Sequence, residues 1–178
     1  IIFREGRLTY EQTGACLQTL TQNLMQLGLQ KGDCAAILLP NIPQFVLAYY
    51  ALLRAGAVVA ALNPYYKEGE YQELLADCRP KMVICLDSNV EMLRGLDEKI
   101  AIEAIITTNK DDWKDYEELS AGNVVPAKKK EDGKNIFHLN DLLFGRIDKK
   151  ELQLPQVKPH DAAIYQYSGG TTGTPKAA

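Results

Sequence analysis

At 178 residues with a formal charge of −3, the chain can bury a full core and fits one or at most two compact units. Charges of both signs are interspersed, which leaves no basic field for nucleic acid and excludes a DNA or RNA partner. The cysteines at 16, 34, 78 and 85 form no Cys-x-x-Cys pair and read as reduced, buried core thiols, pointing to a cytoplasmic protein; His138 and His160 stand apart from any cluster at ligand spacing, against a histidine metal site.

The opening "IIFREGRLTY" reads as a small hairpin turning at Glu5-Gly6. Residues 1 to 10 hold Arg4, Glu5 and Arg7 and no apolar h-region, against a signal peptide, and Ile1 in place of an initiator methionine suggests a cut boundary. Thr9 with Gln12 three residues on makes a capping box for a helix whose apolar stripe is Cys16, Leu17, Leu20, Leu24 and Leu27, with Gly28 as its stop. "CAAILL" (34–39) has the look of a strand buried on both faces. Asn41, Pro43 and Gln44 open a second helix that Gly56 closes before the strand "AVVAAL" (57–62). The apolar length of 45–62 raises a membrane span, but Arg54 and Gly56 interrupt it, and a buried helix running into a buried strand explains it better.

A third helix is expected over 67–78, a strand over 82–86, a helix near 88–98, a strand over 104–108 and a last strand over 161–167. Buried strands alternating with amphipathic helices define a three-layer α/β fold, a mostly parallel sheet with helices on both faces. Residues 109–156 break the rhythm. They are charge-rich, with opposite signs nearly cancelling, and "KKKEDGK" is a weak lipid signal, so the segment reads as a solvated insertion with one or two short helices such as "NIFHLNDLLFG".

The most specific stretch is the last, "YQYSGGTTGTPKAA" (165–178). Gly169, Gly170 and Gly173 allow positive φ and close backbone approach, so successive N–H groups can form an anion-binding nest. Ser168, Thr171, Thr172 and Thr174 add hydroxyl donors and Lys176 a point charge. Following a strand, the loop lies where open α/β sheets bind ligands, a nucleotide-phosphate site in outline. It is neither a Walker A loop, since Thr174 and Pro175 separate Gly173 from Lys176, nor G-x-G-x-x-G.

"YSGGTTGTPKAA" resembles the phosphate-binding signature of the adenylate-forming (AMP-binding) superfamily. "LTYEQ", "GLQKGDCAAILLPNIPQFVLAYYALLRAGAVVAALNPYY" and "LLADCRPKMVIC" extend the resemblance over the whole chain, in the order found in the N-terminal part of acyl-CoA synthetases. Gly169 and the long insertion are most similar to long-chain fatty-acid–CoA ligases, while Ala177 departs from the usual glycine. The resemblance implies that 1–178 is the N-terminal portion of a larger AMP-binding domain, with a charged insertion at about 109–156, a phosphate-binding loop at 168–176, and the rest of the enzyme downstream. It implies a parent that activates a fatty acid as acyl-adenylate with ATP and Mg²⁺, releases pyrophosphate, and then forms acyl-CoA and AMP from coenzyme A. By motif position, Ser168, Gly169, Gly170, Thr171, Thr172, Gly173, Thr174 and Lys176 would hold the phosphates, with the Ser168 hydroxyl reaching the magnesium. Tyr167 would pack rather than react, and Asn63 with Pro64 would form a turn shaping the domain. Two other readings stay open: adenylation of an aryl or amino acid, and a non-catalytic nucleotide-binding module. Peripheral membrane contact and a homodimer of the parent stay open beside the small-molecule partners.

Overall fold

The computed structural model describes residues 1–96, 100–116, 129–130, 135–148, 150–168 and 176–177. The first hairpin pairs β1 (Ile2–Phe3) with β2 (Gly6–Arg7), partnering Ile2 with Arg7 and Phe3 with Gly6. Its turn is therefore Arg4-Glu5 and not Glu5-Gly6, with Arg4 at φ 51°. Gly6 sits in the strand because a Cβ there would come within 2.5 Å of Trp113 Nε1. Helix α1 (Tyr10–Gln26) starts at the expected capping box: the Gln12 N–H donates to Thr9 Oγ1 at 3.2 Å and the Thr9 N–H to Gln12 Oε1 at 2.8 Å. Gly28, at φ 102°, follows its last turn.

Strand β3 (Cys34–Leu38), helix α2 (Pro43–Arg54), β4 (Val58–Ala61), α3 (Glu68–Cys78) and β5 (Met82–Leu86) come next. A 3₁₀ turn (Asp87–Asn89) leads into α4 (Val90–Gly95), and β6 (Ala104–Thr108) follows. The rest of the described chain holds a second 3₁₀ turn (Asp112–Asp115), β7 (Lys129–Lys130), β8 (Ile136–His138), α5 (Leu139–Phe144), β9 (Ile164–Tyr165), β10 (Tyr167–Ser168) and β11 (Lys176–Ala177).

The main sheet runs β7-β8-β6-β5-β3-β4-β9. All its pairings are parallel except that of the β7 edge. Alternate residues of the central strands feed two cores, as a sheet covered on both sides requires. Ala35, Ile37, Val59, Ile84 and Ile106 pack with Leu20 and Leu24 of α1, Leu47 and Leu52 of α2, and Leu139 and Leu142 of α5. Ala36, Leu38, Ala60, Val83 and Ile105 pack with Leu74 and Leu75 of α3 and Leu93 of α4. The apolar run at 45–62 is thus a buried helix entering a buried strand, and among the described residues no helix is long and apolar enough to cross a membrane.

The segment read as a solvated insertion is, in its described parts, built into this architecture. Trp113 and Tyr116 are 3% and 1% exposed. β8 extends the sheet beside β6, and α5 buries Leu139, Leu142 and Leu143. The charges that dominate the composition mask these short apolar groups, each of which needs a partner distant in sequence to reveal its role. Cys34 is likewise only half-buried, unlike Cys16, Cys78 and Cys85, and all four are free thiols.

Candidate phosphate-binding site

The route to the loop is laid down by polar side chains of α1. Gln22 pairs with Leu152 as a neighbouring strand would: its Nε2 donates to Leu152 O at 2.9 Å, and the Leu152 N–H donates to its Oε1 at 2.8 Å. Asn23, 1% exposed, donates Nδ2 to both Leu142 O and Gly145 O at 2.7 Å and accepts the Ile147 N–H at 3.0 Å. Gln26 holds the backbone of Asp148 and Lys150 in the same way. Further on, Lys31 Nζ donates to Gln156 O at 2.9 Å and pairs with Asp161 at 2.7 Å. This strap crosses Gly56, whose φ is 75° and where a Cβ would meet Lys31 Cγ at 3.0 Å and Pro155 Cγ at 3.2 Å.

The strap delivers β9 to the free edge of β4, with Val59 opposite Ile164 and Ala60 opposite Tyr165. The strand expected over 161–167 is shorter than predicted. It leaves the sheet at Gln166, because Tyr167 and Ser168 pair instead with Ala177 and Lys176 in an antiparallel hairpin. Tyr167 is 7% exposed, packed with Leu62, Leu75 and Cys78, and its hydroxyl donates to Asp77 Oδ2 at 2.7 Å. Burial, and then that hydrogen bond, push the phenol well above its ordinary range. The expectation that Tyr167 packs rather than reacts agrees with this environment.

Ser168 and Lys176 are thus backbone partners at the mouth of the predicted loop. Gly169, Gly170, Thr171, Thr172, Gly173 and Thr174 lie outside the described residues. Asn63 forms a turn: its Oδ1 accepts the Tyr65 N–H at 3.0 Å and its carbonyl accepts the Tyr71 hydroxyl at 2.8 Å. Among the described residues no group of three or more His, Cys, Asp or Glu could hold a metal ion.

At the far side of the sheet the fold makes a pair that the sequence did not announce. His138 Nε2 lies 3.3 Å from Asp112 Oδ2, which also accepts the Thr108 hydroxyl at 2.7 Å and the Asn109 N–H at 2.8 Å. Burial would lift the Asp112 carboxyl, but the hydrogen bonds from His138, Asn109 and Thr108 outweigh it and hold the group below the usual carboxylate range. The bond to Asp112 raises His138 above its ordinary value against burial. Only the pairing of β8 with β6 brings these residues together.

The family model described as "AMP-binding enzyme" matches residues 1–178. The chain belongs to this AMP-binding enzyme family. It is 34% identical over 183 residues to a long-chain-fatty-acid–CoA ligase of Bacillus subtilis (strain 168), covering 99% of this chain and 32% of the relative. It is 30% identical over 169 residues to 4-coumarate–CoA ligase 4 of Arabidopsis thaliana, covering 95% of this chain and 27% of the relative. The chain therefore spans about a third of the curated relatives it matches. Among solved structures, the anthranilate CoA ligase AuaEII in complex with anthranoyl-AMP superposes with a TM-score of 0.74 at 21% identity, over 97% of this chain and 29% of that one. ATP-bound MatB from Rhodopseudomonas palustris gives 0.73 at 23% identity, over the same shares. These structures share the fold, a mostly parallel sheet with helices on both faces.

Proposed function

We propose that the chain is the N-terminal part of an ATP-dependent acid–CoA ligase whose preferred acid is a long-chain fatty acid. The observation that carries this reading is the hairpin pairing Ser168 with Lys176 just beyond the carboxyl end of β9, which brackets the glycine- and hydroxyl-rich stretch 169–175. Such a loop suits a polyphosphate by donor chemistry: backbone N–H groups and hydroxyls converge on anionic oxygens, with the Lys176 ammonium supplying charge. In the proposed reaction, Ser168, Gly169, Gly170, Thr171, Thr172, Gly173, Thr174 and Lys176 hold the β- and γ-phosphates while the carboxylate attacks the α-phosphate. They then follow the charge onto the departing pyrophosphate. Magnesium, a hard cation, would neutralise phosphate charge when bound, and the Ser168 hydroxyl is the oxygen ligand we assign to it. Coenzyme A then accepts the acyl group, and AMP leaves.

The fatty acid is favoured by the relatives named long-chain-fatty-acid–CoA ligases and by Gly169. An aryl acid is the second reading, favoured by the 4-coumarate–CoA ligases among the relatives. ATP–pyrophosphate exchange by the longer parent, run with a long-chain fatty acid and with 4-coumarate, separates the two. Lys176→Ala and Thr172→Ala should each slow exchange about 10²-fold, as loss of one pre-organised donor does. Unchanged exchange in both variants would reduce the loop to a connector.

A further inference from the structure

The hairpin that brackets the candidate loop is too short to hold itself. It has two rungs, Tyr167 with Ala177 and Ser168 with Lys176, and an isolated two-stranded ribbon is marginal in water even when it is longer. Its support must come from elsewhere in the chain, and the described contacts place one such hold at Tyr167. The Tyr167 ring is 7% exposed and belongs to the apolar cluster of Leu62, Leu75 and Cys78. Apolar burial resists withdrawal of the ring, but it is non-directional and does not set how deep the ring sits or how it turns. The hydroxyl does so, donating to Asp77 Oδ2 at 2.7 Å across 90 residues of sequence.

Asp77 stands in the last turn of α3, and no basic residue shares that turn. A carboxylate there meets the negative end of the helix dipole, which disfavours an acid. The residue is exposed, so packing does not call for it either. What it supplies is an ionised acceptor for a buried phenol, a bond roughly twice as strong as one between neutral groups. The helix that carries it is fixed to the sheet by Leu74 and Leu75, which are 1% and 0% exposed. The acceptor therefore sits on a rigid element, while the group it holds sits on a marginal one.

We propose that Asp77 is a positioning residue for the phosphate loop: through Tyr167 it fixes the first rung of the hairpin and hence the second, Ser168 with Lys176, between which residues 169–175 run. The inference rests on the phosphate-binding reading of 168–176 and adds to it a residue of α3 that acts through Tyr167 and not on the phosphates. Donors aimed at a polyphosphate count by their position. A misplacement of about 1 Å costs about 10²-fold, and a hairpin that is loosened but not displaced should lose about 10-fold.

The test has two arms. In the 178-residue chain, amide hydrogen exchange is read at Tyr167 and Ala177. Tyr167→Phe and Asp77→Ala should each speed it several-fold there while leaving the amides of β3 and β5 as in wild type. Asp77→Asn, whose amide oxygen still accepts, should stay near wild type. In the longer parent, KM for ATP in pyrophosphate exchange should rise about 10-fold in Tyr167→Phe and in Asp77→Ala, and no further in the double variant. KM for the acid should not change, and Asp77→Asn should recover most of the loss. An enzyme that was merely destabilised would lose kcat with both KM values unchanged. Wild-type amide exchange in both Tyr167→Phe and Asp77→Ala, or KM losses that multiply in the double variant, would overturn the proposal. The amide arm needs no substrate, so it decides the anchor separately from the ligase reading.

Discussion

Replacing Asn23 by alanine removes one small side chain and three hydrogen bonds. Its Nδ2 serves two carbonyls at 2.7 Å, those of Leu142 and Gly145, and its Oδ1 accepts the Ile147 N–H at 3.0 Å. Cutting the side chain leaves each of the three backbone groups without the amide that replaced its water. An unpaired buried polar group costs about 1–3 kcal/mol, and the low end for each of the three gives about 3 kcal/mol for the set. That is a large part of the roughly 5–15 kcal/mol that holds a domain together. In urea, with a slope of about 2 kcal/mol per molar, the midpoint should fall by about 1.5 M. Gln22→Ala, whose two bonds are only partly buried, is the comparison and should lose about 1 kcal/mol or less. Exchange of the Ile147 amide should accelerate in the Asn23 variant before global unfolding. A loss below 1 kcal/mol, or one no larger than that of Gln22→Ala, would show that the strap is held by apolar packing and not by the α1 amides.

Gly56→Ala places a Cβ at a left-handed φ of 75° and 3.0 Å from Lys31 Cγ. The conformational penalty alone is about 1–2 kcal/mol, and thermal unfolding at or above the wild-type midpoint would refute it. The His138–Asp112 pair predicts a pH profile. Because His138 is raised in the fold, its contribution is full below its unfolded value near 6.5 and is lost as pH climbs through the raised one. Because Asp112 is lowered, its contribution is present above about 3.9 and is lost as pH falls through the depressed value. The stability gap between wild type and His138→Gln should therefore be widest near pH 5, where His138 carries its charge and Asp112 is ionised, and shrink on the alkaline side. Protonation gives up the weak 3.4 Å contact in which Nδ1 accepts the Asn140 N–H, which is smaller than the ion pair gained. A gap constant from pH 5 to pH 9 would refute the pairing, as measured by urea unfolding at each pH.

The parallel sheet could be read from the sequence because its strands are short apolar runs set between capped helices, and each signal is local. Thr9 with Gln12, Pro43 and Gly28 mark helix ends by their own backbone chemistry. The β8 strand and the burial of Trp113 and Tyr116 were not legible, since three apolar residues among charges carry no period and gain a role only beside β6 and β1. Asn23 was hidden for a related reason. An asparagine on a helix reads as surface until a segment more than a hundred residues away lays its carbonyls against it. Arg79 at φ 44° is a position where glycine would have given the signal. At the candidate site, residue types and order gave the loop, and Tyr167 gave its anchor. The bond from the Tyr167 hydroxyl to Asp77 joins two distant parts of the chain and leaves no local trace.

The position of β9 also bears on how the protein is made. In chain order β3 and β4 are made first, and β5, β6 and β8, which lie successively on the far side of β3, are made after them. The other edge of β4, Val58–Ala61, must wait for residues 164–165, about a hundred residues later in synthesis. Throughout that interval a short, uncharged strand presents its open hydrogen-bonding edge, the template on which nascent chains pair wrongly with one another. Its brevity and its small side chains limit that danger. A chain stalled or cleaved before the strap arrives would keep the edge open, making that interval the vulnerable stage of its biogenesis.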